Sequence, residues 1–378
     1  MNKYLEKRTW AEIYLNNIVS NYRNIKKHIP NDCKFLGVVK ADAYGHGALK
    51  VAKVLEENGA DYLAVSCLDE AIELRKADIN MPILILGHTP PKYVKELLKY
   101  NLTQTIANLA KAIEYNDEAI KYHKKLKVHI KVDTGMSRLG FLIAGDYFDK
   151  GIKNIEESYK LQYLEHEGIY THFAVSDENN EDSKKYTLTQ FDLFKKTVDE
   201  LEKRNVIFKI KHCANSGAVI NYPEMCLDMV RPGLLLYGYG GNNMIELKPC
   251  MSVKTKITSI KYLEDNTSVS YGRHFVTQRR SKIGVLGIGY ADGLNRVLSN
   301  DCSFYCNGHF IPQVGNICMD MCMVDLTDFD DIDVDDVVEI FGIHNSVEKL
   351  AEKANTIPYE LMCAVSKRVP REYKKGVK

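Results

Sequence analysis

No charge excess marks this 378-residue sequence: 51 basic against 50 acidic side chains leave a formal charge of +1. It therefore lacks the overall electrostatic footprint of a nucleic-acid or anionic-membrane binder, and a small-molecule partner fits better. No apolar run approaches the roughly 20 residues of a membrane span, and the opening MNKYLEKRTWAEI is polar and charged, unlike a secretory leader. The chain is expected to be soluble and cytoplasmic. Ten cysteines lie mostly singly, and the close pair Cys318 and Cys322 has no second pair at zinc-finger spacing. Reduced thiols and no metal site are expected. Low-complexity segments are absent, and no G-x-G-x-x-G follows the first strand candidate, which argues against an open dinucleotide-binding sheet.

What is present is repetition of one kind of unit. The length favours two domains. Up to Gly240 short apolar runs alternate with amphipathic stretches, as in repeated βα units on a parallel sheet. The strand candidates are residues 35–39, 62–66, 83–86, 102–106, 128–132, 168–172, 207–213 and 234–237. Between them lie helical patterns such as 190–203, where Phe191, Phe194, Val198 and Leu201 recur at helical spacing. Eight units predict an α/β fold, a (β/α)8 TIM-type barrel over 12–240, with its site at the C-terminal ends of the strands. After the Gly- and Asn-rich stretch 238–243 the character changes, and 251–263, 267–271, 283–288, 304–306, 321–325 and 337–341 read as strands. They predict a mostly β second domain over 241–378, with residues 1–11 packing against it.

Several strand ends carry chemistry. Lys40 closes the first strand and opens a loop with two glycines, a place where a lysine can be desolvated and nucleophilic. Taken alone, such a lysine is more often a solvated one. Arg138 follows the fifth strand and can bind a carboxylate through its planar fork. His172 ends the sixth, where a lone histidine is more often structural. Loops after the seventh and eighth strands form the usual barrel phosphate site, which makes Ser216, Gly233 and Leu234 phosphate candidates. For Ser216 a plain helix cap is the other reading.

The run VVKADAYGHG around Lys40 resembles the cofactor-lysine motif of the alanine racemases, with Asp42 where the family usually has Asn. Further motifs follow in the family's order: KVDTGMSRLG around Arg138, YTHF around His172, HCANSG around Ser216, VRPGL around Arg231, SYG around Tyr271, IGYADG around Tyr290, CMD around Met319 and IPYE around Tyr359. Asn316 stands where the family commonly has Arg. The resemblance implies a fold-type-III enzyme that holds pyridoxal 5'-phosphate on Lys40 as a Schiff base. It assigns Tyr44, Arg138, His172, Asn215, Ser216, Arg231, Gly233, Leu234 and Tyr359 to the cofactor, and Arg138, Met319 and Tyr290 to the substrate. Lys131 matches a position carbamylated in many members. Arg231 would face the pyridine nitrogen and, being permanently charged, would leave it unprotonated. That weakens the electron sink and favours return of the proton to Cα over transamination.

Racemisation removes a proton from one face of Cα and delivers another to the opposite face, so one base per face is the simplest design. The resemblance makes Lys40 the catalytic base for the D-enantiomer and Tyr271 of the partner subunit the base for the L-enantiomer. It thereby implies a head-to-tail homodimer, with alanine as substrate and D-alanine supply for peptidoglycan as the purpose. A serine or broad-specificity racemase uses the same machinery, since an apolar pocket discriminates poorly against an added hydroxyl. A non-catalytic cofactor-binding protein on a related barrel would have the lysine but lack the β domain and Tyr271. A fold-type-III decarboxylase usually has an acidic residue where Arg231 stands.

Overall fold

The structure, a computed structural model, describes residues 7–374, and the chain divides into two compact units. One holds residues 19–43 and 48–248. Its eight principal strands are Lys34–Val38, Tyr62–Val65, Ile83–Ile85, Thr103–Ile106, Leu126–Asp133, Leu164–Tyr170, Ile210–His212 and Met229–Val230. Each pairs in parallel with the next as far as the seventh, and the eighth returns to the first in the register Met229↔Lys34 and Val230↔Phe35. Between the seventh and eighth, Asp228 N–H donates to Lys211 O at 3.1 Å and Arg231 N–H to Ala214 O at 2.9 Å. The expected (β/α)8 barrel is thereby closed.

Helices cover it for reasons written locally in the sequence. Asn108 caps Leu109–Ile120 by accepting from Lys111 N–H, and Ala112, Tyr115, Asn116 and Ala119 form the buried stripe. Asn180 caps Glu181–Lys203, whose first turn carries Glu181 and Asp182 against the positive end of the helix dipole. Phe191, Phe194, Val198 and Leu201 face inward as their spacing predicts.

One strand expectation is corrected. Residues 234–237 do not form the eighth strand; they are a 3-10 turn, Leu234–Tyr237, closed by Leu236 N–H to Gly233 O and ended by Gly238 at φ +102°. The strand lies earlier, at Met229–Val230, and the chain leaves the ladder only after Pro232, whose carbonyl still accepts from Val38 N–H at 3.4 Å. The seventh strand is also shorter than 207–213, with Ile207 exposed before Ile210–His212.

The second unit contains residues up to 18, 44–47 and from 249 on. In this division the barrel unit runs on to Lys248 and the second unit resumes at Pro249. Residues 241–248 belong with the barrel unit because Asn21 Nδ2 donates to Lys248 O at 2.8 Å and Asn24 Nδ2 to Glu246 O at 2.9 Å. Thr9–Tyr14 pairs antiparallel with Met251–Leu263, which puts residues 12–18 with the β unit as well. Residues 1–6 and 375–378 lie outside the described residues.

In this unit the 13-residue strand Met251–Leu263 serves twice: its first half pairs with Val337–Phe341 and its second with Ser281–Leu286. Through Cys322–Asp325, His309–Val314 and Ser303–Cys306 the antiparallel sheet closes on itself. Val269, Ile283, Val314 and Met323 pack together inside it. The expected strand 267–271 is only Ser268–Val269, since Ser270 (φ +69°) and Gly272 (φ +74°) bend the chain into the turn Tyr271–Arg273. Among the described residues no helix is long and apolar enough to cross a membrane.

Candidate active site

Three residues two apart on the fifth strand, His129, Lys131 and Asp133, share one face and are all buried. Asp133 shapes the loop that follows, its Oδ1 accepting from Gly135 N–H and Ser137 N–H, each at 3.0 Å. That loop carries Arg138, which is exposed. Gly140 lets it return: a Cβ there would meet Asp133 N at 2.6 Å, and its φ is +132°. Lys131 is held down to about 8 by burial first, then by the positive charges of Arg138, Arg231 and Lys40.

Arg231, 4 % exposed, follows the eighth strand. Its guanidinium donates to Thr171 O at 2.8 Å, Cys213 O at 3.0 Å, His212 Nδ1 at 3.0 Å and His172 Nδ1 at 3.2 Å. Since arginine only donates, both histidines must accept at Nδ1 and carry their proton on Nε2. Burial, followed by the Arg231 charge, keeps both imidazoles neutral. Among the described residues, neither Arg231, Lys131 nor Arg138 forms an ion pair with a carboxylate. This end of the barrel is thus a concentration of positive charge suited to anionic ligands.

Lys40 begins an unusual turn. Ala41, Asp42, Ala43 and Tyr44 have φ of +52°, +53°, +54° and +50°, a left-handed helical turn without glycine. Val39 O accepts from Ala43 N–H at 2.9 Å, Glu70 accepts from Ala41 N–H at 2.7 Å and from Ser66 N–H at 2.6 Å, and Asp42 Oδ1 accepts from Ala48 N–H at 2.7 Å. The Asp42 oxygen does what an Asn oxygen would do in the same place.

After the seventh strand, Asn215 caps Ser216–Asn221 by accepting from Ala218 N–H at 3.0 Å, and it also accepts from Ser176 Oγ at 2.7 Å. Ser216 is therefore not the cap. Its Oγ accepts from Gly233 N–H at 2.9 Å and from Leu235 N–H at 3.5 Å, so a hydroxyl and the amides at the start of the Leu234–Tyr237 turn converge. A phosphate suits that set of donors.

The remaining candidates lie in the β unit. Tyr44 and Tyr359 meet edge to face with ring centroids 5.4 Å apart. Burial, then Tyr359, pushes the Tyr44 phenol up, so it remains a donor. Tyr271 is 75 % exposed on its turn, and its carbonyl accepts from Asn316 Nδ2 at 2.8 Å. The Tyr290 and Met319 segments are joined by Tyr290 N–H to Cys318 O and Ala291 N–H to Met319 O, each at 3.0 Å, and both side chains are exposed.

Reading the sequence missed His129, His212, Glu167, Tyr170 and Glu70. The alternation His129, Lys131, Asp133 within an apolar strand was the available signal, because polar residues two apart on a buried strand need partners. Glu70 had no such signal.

Comparison with known proteins agrees over nearly the whole chain. Residues 13–240 match the family model described as alanine racemase, N-terminal domain, and residues 250–373 the model for the C-terminal domain. Alanine racemase 2 of Caldanaerobacter subterraneus subsp. tengcongensis is 46 % identical over 373 residues, covering 97 % of this chain and 94 % of the relative. The alanine racemase of Halothermothrix orenii is 42 % identical over 385 residues and covers 100 % of each chain. Among solved structures, the alanine racemase of Clostridium difficile 630 superposes with a TM-score of 0.92 at 40 % identity, covering 98 % of this chain and 97 % of that one.

Proposed function

The chain belongs to the alanine racemase family, and from that premise we propose that it is an isomerase interconverting L- and D-alanine with pyridoxal 5'-phosphate as cofactor. The observation that carries this reading is the barrel end where Arg231 is buried without a carboxylate partner, beside Lys131 and the Ser216 cradle. A dianionic cofactor whose ring nitrogen accepts a hydrogen bond fits those donors. When bound, the cofactor supplies an aldehyde for amines and a ring that spreads the charge left at Cα.

The protein's own residues do the rest. Lys40 is the attachment point and one proton carrier at Cα. Tyr271 of the partner subunit is the proton carrier on the other face. Arg231 would donate to the ring nitrogen and discourage its protonation; His172, neutral and linked to Arg231 through Nδ1, keeps Nε2–H as a donor. Ser216, Asn215, Gly233 and Leu234 hold the phosphate, with Tyr44 and Tyr359 as phenol donors. Arg138 takes the substrate carboxylate with the Met319 N–H, and Tyr290 borders the entrance. A homodimer and a role in supplying D-alanine for peptidoglycan follow from the same reading.

The test is Lys40→Ala. It should abolish racemisation, measured by chiral chromatography on L- and D-alanine and on L- and D-serine, together with the visible absorbance of bound cofactor. A variant keeping both would sink the assignment, and faster turnover of serine would move the substrate.

A further inference from the structure

The sixth strand passes His129 at a glycine. A Cβ on Gly168 would lie 2.6, 2.7 and 2.9 Å from three atoms of the imidazole, so the barrel interior is kept open for that ring. His129 Nδ1 is 3.0 Å from His212 Nε2, and His212 Nδ1 takes its hydrogen bond from Arg231. Tyr170 stacks on His212 with centroids 4.7 Å apart, and the Arg231 guanidinium lies over the Tyr170 ring at 5.2 Å. At the other end His129 Nε2, buried, has no acceptor at hydrogen-bond distance and faces the Glu167 carboxylate at 3.5 Å. Tyr62 OH donates to that carboxylate at 2.6 Å.

The row has only one consistent direction. Arginine cannot accept, so His212 accepts at Nδ1 and bears its proton on Nε2. His129 meets that proton with Nδ1 and must bear its own on Nε2. A carboxylate, which only accepts, then completes the row. Reversing it would set the His212 N–H against that of Arg231 and leave the bare His129 Nε2 facing a carboxylate. Burial keeps both rings neutral, and the His129 ring beside it, with the Tyr62 hydrogen bond, holds the Glu167 carboxyl down to about 2.

We propose that Glu167 is a positioning residue for Arg231, acting through His129 and His212: from the far end of the row it stabilises the tautomers that Arg231 requires, and through them the direction in which the guanidinium presents its N–H groups. The proposal rests on the function above only in giving Arg231 a cofactor to face. The tautomers belong to the protein without ligand.

Nitrogen-15 spectra of the histidine rings in ligand-free protein, assigned with His129→Gln and His212→Gln, should show both residues as Nε2–H forms. Glu167→Gln keeps an acceptor oxygen and should keep both tautomers, with kcat within about twofold. Glu167→Leu removes it, and should populate an Nδ1–H form and lower kcat about tenfold, with KM within about twofold, as expected of a group acting through Arg231 and not on the substrate. An Nδ1–H ring in the wild-type chain, which needs no variant to measure, overturns the proposal. So does a folded Glu167→Leu variant with tautomers and kcat unchanged. A wild-type chain that shows the Nε2–H pattern but no racemisation overturns the proposed function and leaves this row supported.

Discussion

Lys131 shows how a single side chain acquires chemistry from its surroundings. Burial and three neighbouring cations bring it to about 8 from the ordinary 10.5. The sign matters. Between those values the unfolded chain binds a proton that the folded chain does not, so this group's contribution to stability increases as pH rises through that window and is lost as pH falls through it. At pH 7 roughly a tenth of the side chain is the neutral amine, against less than roughly a thousandth for an ordinary lysine. That amine, once the ammonium has lost its proton, can add carbon dioxide, forming an N–C bond and releasing a second proton, so that an anion replaces a cation near Arg138. With carbon-13 bicarbonate we expect a carbamate signal at pH 8 that weakens toward pH 6 and is absent from Lys131→Ala. No signal at pH 8 would mean that Lys131 stays unmodified. The position of Lys131 on the strand was legible from the sequence; its depressed basicity was not, because that depends on charges from three other segments.

The turn after the first strand belongs to the scale of elements. Left-handed backbone costs an L-residue about 1–2 kcal/mol, so four in succession without glycine must be held from outside. Glu70, in the first turn of Leu68–Lys76, supplies much of that hold by accepting from Ala41 and Ser66 at once. Glu70→Ala should therefore lower unfolding free energy by about 1–3 kcal/mol in urea titration, and cofactor retention through gel filtration should fall with it. Glu70→Gln can serve only one of the two N–H groups and should lie between. Equal behaviour of the Glu70→Ala and wild-type chains would show that the turn is held by other bonds. The strands and helices were readable because alternation and the 3.6-residue period are local. The left-handed turn was not: nothing in Ala41-Asp42-Ala43-Tyr44 favours it, and the decisive carboxylate lies some thirty residues away.

At the scale of the whole molecule, the exposed Tyr271, Tyr290 and Met319 on the β unit matter most if the active site takes its second base from another chain. Lys40→Ala and Tyr271→Phe should each be inactive alone. Mixed, unfolded and refolded together, they should recover about a quarter of wild-type activity, because half of the randomly formed dimers are mixed and each has one intact site of two. No recovery would place both bases in one chain. The sequence alone determined the barrel, the β-rich second unit, the family and the order of the site residues, because periodicity and contiguous motifs need no knowledge of distant neighbours. Only the tertiary structure decided that the eighth strand ends at Val230, that Asn215 and not Ser216 caps its helix, and that Lys40 opens a left-handed turn. The same holds for the Arg231, His212, His129 and Glu167 row, since each depends on hydrogen bonds between residues brought together from far along the chain.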